Sequence, residues 1–376
     1  MNAANQDALD RRPACAAIRA GPAGAAWEAC VWPDDDRRAD GTSLLAADLM
    51  VMKNIAFFAA SLTLCLCSSA SAQELQAEAI NNAPLASIPP ERPSEASPRP
   101  EPAIIHLQVL LDRAGSSPGV IDGYYGENVT KAVAGFEAMQ GLPIDGKLDP
   151  KVTERLSGDK PVIEPYVISE DDAKGLVDSI PEDYAKQAEM EHLGYTSVAE
   201  RLSERFHMDI DLLKALNPGS AFAVGTTVSV AVPGVAKEGT VKRIEARKRT
   251  GQVLAFAGDG ALLAVYPATI GSEESPSPSG THKVKGVARM PVYAYNPKVN
   301  FQQGDNSEVL ELPKGPNGPV GSVWIDLTKP TYGIHGTPEP SLIDKAGSHG
   351  CIRLTNWDAE ELAAMVKPGV TVAFTD

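Results

Sequence analysis

The residues best able to do chemistry in this chain lie together near its C-terminus, in YGIHGTPEPSLIDKAGSHGCIRL, Tyr332 to Leu354. His335 precedes Cys351 by sixteen positions and His349 precedes it by two. A thiolate is a strong nucleophile, and it forms readily where a base or a positive charge adjoins the sulfur. A loop that folds back on itself can bring His335, at the end of a preceding strand, against the thiol as its general base. Gly350 leaves space for a carbonyl substrate, and the N–H groups around Gly350 and Cys351 can hold a developing oxyanion. Arg353 adds positive charge that favours the thiolate or binds a substrate carboxylate. On a strand, His349 would share a face with Cys351 and position substrate or hold the loop. Ser348 and Gly336 complete the positioning group, and Tyr332 is a candidate substrate contact. The competing reading is packing, because a free cysteine often serves as a small buried hydrophobe. The polar, glycine-flanked run Ser348-His349-Gly350-Cys351 makes a poor core strand and speaks against it.

The compartment bears on why a lone thiol is kept. From Met52 the chain reads MKNIAFFAASLTLCLCSSASAQE, with Lys53, an apolar run from Ile55 to Cys67, and small residues Ala70 to Ala72 before Gln73. That is the pattern of a secretory signal peptide, expected over 52–72, and its apolar run is short for a stable membrane span. Residues 1–51 are read as a start codon assigned too far upstream, or as a disordered tail. Of the five cysteines, Cys15, Cys30, Cys65 and Cys67 precede the cleavage point, so the exported chain would keep Cys351 alone. A single thiol in an oxidising periplasm or cell envelope needs a use, and a single cysteine makes a structural zinc site implausible. A net charge of −15 argues against a nucleic-acid partner.

The elements that would position these residues are expected in several modules. Residues 73–103, rich in Pro, Ser, Ala and Glu, read as an extended solvated linker. Residues 104–158 read as three helices: Ile104, Leu107 and Leu111 share one face, Val129, Val133 and Phe136 another, and Pro150 suits the first turn of a third. Residues 159–186 read as a second linker, acidic and proline-containing. Residues 187–234 read as two short helices and a strand, with Ser197 and Glu200 in a capping box. From about Thr240 to Asp376 the chain is strand-rich, with a hairpin turning at Gly258-Asp259-Gly260 and one late helix capped by Thr355 or Asn356.

Three stretches resemble known families. Leu107-Gln108, Leu111, Asp122 to Gly126, Thr130, Ala132-Val133, Phe136, Gly141-Leu142 and Asp145-Gly146 resemble the peptidoglycan-binding domain type 1. LLKALNPG and the segment Gly225 to Pro233 resemble a LysM module, although Gly194-Tyr195-Thr196-Ser197 stands where that family has Gly-Asp-Thr-Leu. His335-Gly336-Thr337 followed by Ser348-His349-Gly350-Cys351-Ile352-Arg353-Leu354 resembles the signature of YkuD-type L,D-transpeptidase catalytic domains, over roughly residues 240–376. Asp344 departs from that pattern, where many relatives have glycine.

These resemblances imply a multidomain fold: a small three-helix peptidoglycan-binding domain, a small α+β LysM-like module and a β-rich catalytic domain. They imply attack by Cys351 on the bond between the third residue and the terminal D-alanine of a peptidoglycan stem. His335 would manage the proton, with its other ring nitrogen oriented by a backbone carbonyl near Gly336. The acyl group would pass from the thioester to an amine, without a cofactor. The implied partners are peptidoglycan stem peptides and glycan, with carbapenems as covalent inhibitors. Two alternatives stay open at this level: an L,D-carboxypeptidase or hydrolase in which water takes the acyl group, and a non-catalytic wall-binding adaptor.

Overall fold

The structure is a computed structural model that describes residues 75–158 and 160–376. The expected export signal, residues 1–51 and the four upstream cysteines lie outside those residues. No helix among the described residues is long and apolar enough to cross a membrane.

Helices α2 (Pro102–Ala114), α3 (Glu127–Gln140) and α4 (Pro150–Leu156) form the three-helix unit. Their apolar faces, including Ile105, Leu107, Leu111, Val133, Phe136 and Val152, are buried together. Side chains from the first two helices hold its two Asp-Gly turns. Gln108, itself buried, accepts through Oε1 from the N–H groups of Asp122 and Gly123, and Glu137 Oε2 accepts from those of Asp145 and Gly146. These bonds satisfy turn backbone that would otherwise be orphaned.

Neither expected linker is a solvated tether in its described part. Helix α1 (Ala77–Asn81) lies inside the first, and it buries Ile80, as the chain beyond it buries Ile88, in the core of the three-helix unit. Two apolar anchors in a Pro/Ser-rich stretch vanish when composition is averaged over the whole segment. The second contains strand β1 (Ile163–Val167), which pairs antiparallel with β2 (Thr227–Ala231). Between them come α5 (Tyr184–Ala188), α6 (Val198–Arg205) and α7 (Ile210–Leu216). The α/β unit therefore begins at 163 rather than 187. The partner of β1 is distant in sequence, so no local pattern announces the pairing. Val162, Ile163, Leu202, Leu213 and Val228 join the same core cluster as the three helices, so the two expected modules share one hydrophobic core.

The C-terminal half is built on a nine-stranded sheet. In chain order its strands are β3 (Arg243–Arg247), β4 (Gln252–Phe256), β5 (Leu262–Pro267), β6 (Thr269–Ile270) and β7 (Gly280–Arg289). A separate short hairpin follows, β8 (Tyr293–Tyr295) with β9 (Leu310–Leu312). The sheet resumes with β10 (Val323–Leu327), β11 (Gly333–His335), β12 (Ile352–Arg353) and β13 (Thr371–Thr375), and its spatial order is β5-β4-β3-β13-β7-β10-β11-β12-β6. Alternation places Val323, Ile325 and Leu327 in the core, where they meet Leu362 of helix α8 (Asn356–Met365). The hydroxyl of Thr355 caps α8 by accepting from the Asp358 N–H.

The halves are locked together by more than chain connectivity. Ser117 N–H donates to the Val265 carbonyl at 2.8 Å, and a Cβ on Gly135 of α3 would fall 3.1 Å from Val265, so the helix rests directly on strand β5. Lys131 of α3 pairs with Asp344 in the loop before Ser348. A cavity of about 320 Å³ lies at the junction, lined by Asp112, His207, Trp357 and Asp358 among others. His207 stacks on Trp357 with ring centroids 5.1 Å apart and bonds Asp112 at 3.0 Å. Nearby, Asn356 Nδ2 donates to both carboxyl oxygens of Glu204 from α6, at 3.0 and 3.2 Å. Burial lifts the carboxyl groups of both Glu204 and Asp358 to about 8, and Asp112 adds like-charge repulsion at Asp358.

Candidate active site

Strand β11 lies between β10, antiparallel, and β12, parallel, with His335 opposite both Trp324 and Arg353. The loop from Gly336 to Cys351 returns the chain so that Cys351 enters β12 beside the start of β11. A Cβ on Gly333 would fall 2.6 Å from the Trp324 ring, so this position requires a residue without one. The Trp324 ring lies over His335 at 5.6 Å between centroids, inclined by 22°.

His335 is buried, and its Nδ1 lies 2.7 Å from the Gly336 carbonyl oxygen. A carbonyl can only accept, so Nδ1 carries the proton and Nε2 keeps its lone pair. Gly336 is held in turn. Its N–H donates to the Val323 carbonyl, and a Cβ there would lie 2.1 Å from Asn356 Oδ1. That oxygen accepts from the Ser322 N–H at 3.0 Å, which fixes the amide's orientation and points its NH2 group at Glu204.

Cys351 is half-buried, with Sγ 3.7 Å from the Thr331 carbonyl oxygen. Burial raises its thiol above the ordinary range, outweighing the hydrogen bond to the Gly333 backbone and the charge of Arg353. Arg353 therefore pulls toward the thiolate, as expected from its type, without prevailing. Burial, with Arg353 second, lowers His335 to about 4 despite the Gly336 bond. The resting pair at neutral pH is thus a thiol and a neutral imidazole.

Residues 349–351 form bends rather than a strand, so the alternation expected to put His349 and Cys351 on one face does not apply. Gly350 adopts φ +101°, a conformation that L side chains rarely take, and a Cβ there would meet Tyr332 Cε1 at 2.9 Å. The loop is pinned at three points. Ser348 Oγ donates to the Cys351 carbonyl at 2.7 Å and accepts from the Gly271 N–H at 2.8 Å, while Ser277 Oγ donates to the Gly350 carbonyl at 2.8 Å. His349 lies against the Phe301 ring at 4.0 Å between centroids.

A cavity of about 450 Å³ brings together His335, Cys351, Ser348, His349, Arg353 and Tyr332. Gly336 and Gly350 lie outside this lining. Tyr184, Tyr293, Phe301 and Trp324 also line the cavity. The sequence singles out none of these four as cleft residues, because each lies apart along the chain from the Cys351 motif. Ser277 sits in the Pro/Ser loop 276–279, whose composition reads only as a turn.

The chain compares with known proteins as follows. The family profile for the L,D-transpeptidase catalytic domain matches residues 241–373, and that for a peptidoglycan binding domain matches 100–156. YkuD of Bacillus licheniformis, assigned as an L,D-transpeptidase, is 31% identical over 177 residues, covering 47% of this chain and 92% of the relative. The protein of the same name from Bacillus subtilis is 28% identical over 167 residues, covering 44% and 87%. Among solved structures, L,D-transpeptidase 3 from Mycobacterium tuberculosis is 20% identical with a TM-score of 0.30, covering 41% of this chain and 67% of that one. With nearly the whole length of the Bacillus licheniformis relative represented in it, the chain belongs to the L,D-transpeptidase family.

Proposed function

We propose that this cell-wall L,D-transpeptidase works through Cys351 as nucleophile and His335 as its base, on a peptidoglycan stem ending in D-alanine. The observation that carries the reading is the bond from His335 Nδ1 to the Gly336 carbonyl, which leaves Nε2 unprotonated in the cavity that also holds Cys351. Nε2 takes the thiol proton as Sγ bonds to the carbonyl carbon joining the third residue to D-alanine. The tetrahedral oxyanion is held by backbone N–H groups around Gly350 and Cys351. The C–N bond then breaks, the imidazolium returns the proton to the departing amine, and a thioester remains. The amine of a second stem attacks that thioester, the C–S bond breaks and the thiol is restored. Because thiol and imidazole rest neutral, proton transfer accompanies attack rather than preceding it.

The three-helix unit supplies attachment to peptidoglycan, and the β1–α6–α7–β2 unit, LysM-like in its sequence, adds glycan contacts. The signal-like segment 52–72 directs export to the periplasm or cell envelope. Carbapenems, whose strained amide presents an acyl carbon to the thiol, acylate Cys351. The test is mass spectrometry of the purified protein incubated with a disaccharide-tetrapeptide, beside Cys351→Ala. Loss of D-alanine with dimer formation, absent in the variant, is expected. Tripeptide without dimer would reassign the protein as a carboxypeptidase. Retained binding to sacculi without turnover would make it an adaptor.

A further inference from the structure

Between β1 and α6 the chain leaves the α/β unit and runs out to the catalytic cleft. The segment 180–194 grips the β8–β9 hairpin at both ends. At the tip, Gln303 Nε2 donates to the Glu182 carbonyl at 2.8 Å, Asn306 Nδ2 donates to Asp183 Oδ1 at 2.9 Å, and Tyr184 N–H donates to Gln303 Oε1 at 3.2 Å. At the base, Leu193 N–H donates to the Lys314 carbonyl at 3.0 Å and Asn317 N–H donates to that of Leu193 at 3.1 Å. A small apolar core of Leu193, Tyr295 and Leu312 fills the space between. Gly315 comes so close to this strap that a Cβ would lie 1.9 Å from the Leu193 carbonyl oxygen.

Tyr184 is the one residue of the strap that reaches the cavity containing Cys351. Its ring meets those of Tyr293, Tyr295 and Phe301 edge-on, at 6.2, 5.2 and 6.1 Å between centroids. Its hydroxyl makes no hydrogen bond among the described residues, although the ring is largely enclosed. Arg353 lines the same cavity, and its buried Nε–H also lacks an acceptor among the described residues. Both groups line this one cavity, and burial raises the phenol to about 12, so it stays protonated through the neutral range. A phenol hydroxyl free to donate and an arginine, set beside aromatic walls in one cavity, suit a ligand that is apolar along its length and anionic at its end.

We propose that Tyr184, carried into the cleft by the strap from the upstream α/β unit, is a specificity-determining residue that binds the side-chain carboxylate of the donor stem's third residue together with Arg353. This rests on the assignment of the cleft to a stem-peptide donor. A third residue such as diaminopimelate, an aliphatic chain ending in a zwitterion, has that chemistry, whereas lysine lacks the carboxylate. The upstream unit thereby completes the active site.

The test compares kcat and KM for two tetrapeptide donors, one with diaminopimelate and one with lysine at the third position, in the wild type, Tyr184→Phe and Tyr184→Ala. Tyr184→Phe keeps the ring packing and removes only the hydroxyl. It is expected to lower kcat/KM five- to tenfold on the diaminopimelate donor, chiefly through KM, and less than twofold on the lysine donor. Acylation of Cys351 by imipenem, followed by intact mass, is expected to stay within twofold. If Tyr184→Ala fails to fold, Tyr184→Phe still decides. Unchanged donor preference in Tyr184→Phe with normal acylation would overturn this inference alone. Absence of acylation and turnover in the wild type would overturn the nucleophile assignment and this inference with it.

Discussion

Replacing Glu204 by glutamine isolates a buried carboxyl group that joins the α/β unit to the catalytic half. Glu204 is 7% exposed, accepts both its bonds from Asn356, and titrates near 8 instead of the ordinary 4.5 because burial disfavours its charge. The folded protein therefore binds one proton more than the unfolded chain between those two values, and stability falls as pH rises through that interval. Each pH unit costs about 1.4 kcal/mol, so from pH 5 to pH 8 the wild type should lose about 4 kcal/mol through this group. Glutamine cannot ionise and removes that loss. The assay is urea unfolding of both proteins at pH 5, 6, 7 and 8. At pH 5 the variant should lie within about 1 kcal/mol of the wild type, since glutamine keeps one acceptor for Asn356. By pH 8 it should be the more stable by about 3–4 kcal/mol. Asp358, also raised to about 8, contributes the same slope to both and cancels in the difference. Parallel curves, with a gap that changes by less than about 1 kcal/mol over the range, would show that Glu204 ionises normally in the folded protein and would refute the reasoning.

Other expectations follow from the site. His335, lowered to about 4, should let kcat/KM persist well below pH 6 and fall only as the imidazole protonates, which a pH–rate profile measures. The same group should withdraw about 3 kcal/mol of stability as pH falls from 6.5 to about 4, opposite in sign to Glu204, as acid unfolding curves would register. Gly336→Ala should displace Asn356 and lower both stability, by about 2–3 kcal/mol, and turnover, read by thermal melting and a D-alanine release assay. Ser277→Ala should free the Gly350 carbonyl, costing about 1 kcal/mol of stability and a larger share of turnover than of melting temperature.

The chemistry was legible in the sequence where it was contiguous. The run Ser348 to Arg353 and the earlier His335 carry the glycine spacing and residue types of the cleft, and the helices of the first unit announce themselves by periodicity and turn residues. What could not be read is what depends on distant pairing. Strand β1 looks like linker because its partner β2 comes after α7. Ile80 and Ile88 look like stray apolar residues until α2 supplies a core for them. The aromatic wall of the cleft draws on α5, β8 and the loop after it, and none of these places has a pattern that distinguishes a cleft tyrosine from a core one. The charge state of the pair also escaped, because burial, which dominates both groups, is a property of the assembled fold.

Strand β13 comes last in order among the described strands, yet it lies inside the sheet, parallel to β3 and antiparallel to β7. A polypeptide emerging N-terminus first can finish its helical unit early, but its sheet stays divided until Thr371–Thr375 arrive. Such long-range closure is slow compared with local helix formation. Cys351 lies only a short stretch ahead of that closing strand. The thiol therefore emerges only shortly before the strand that closes the sheet around it, which shortens the interval in which another chain could pair with it.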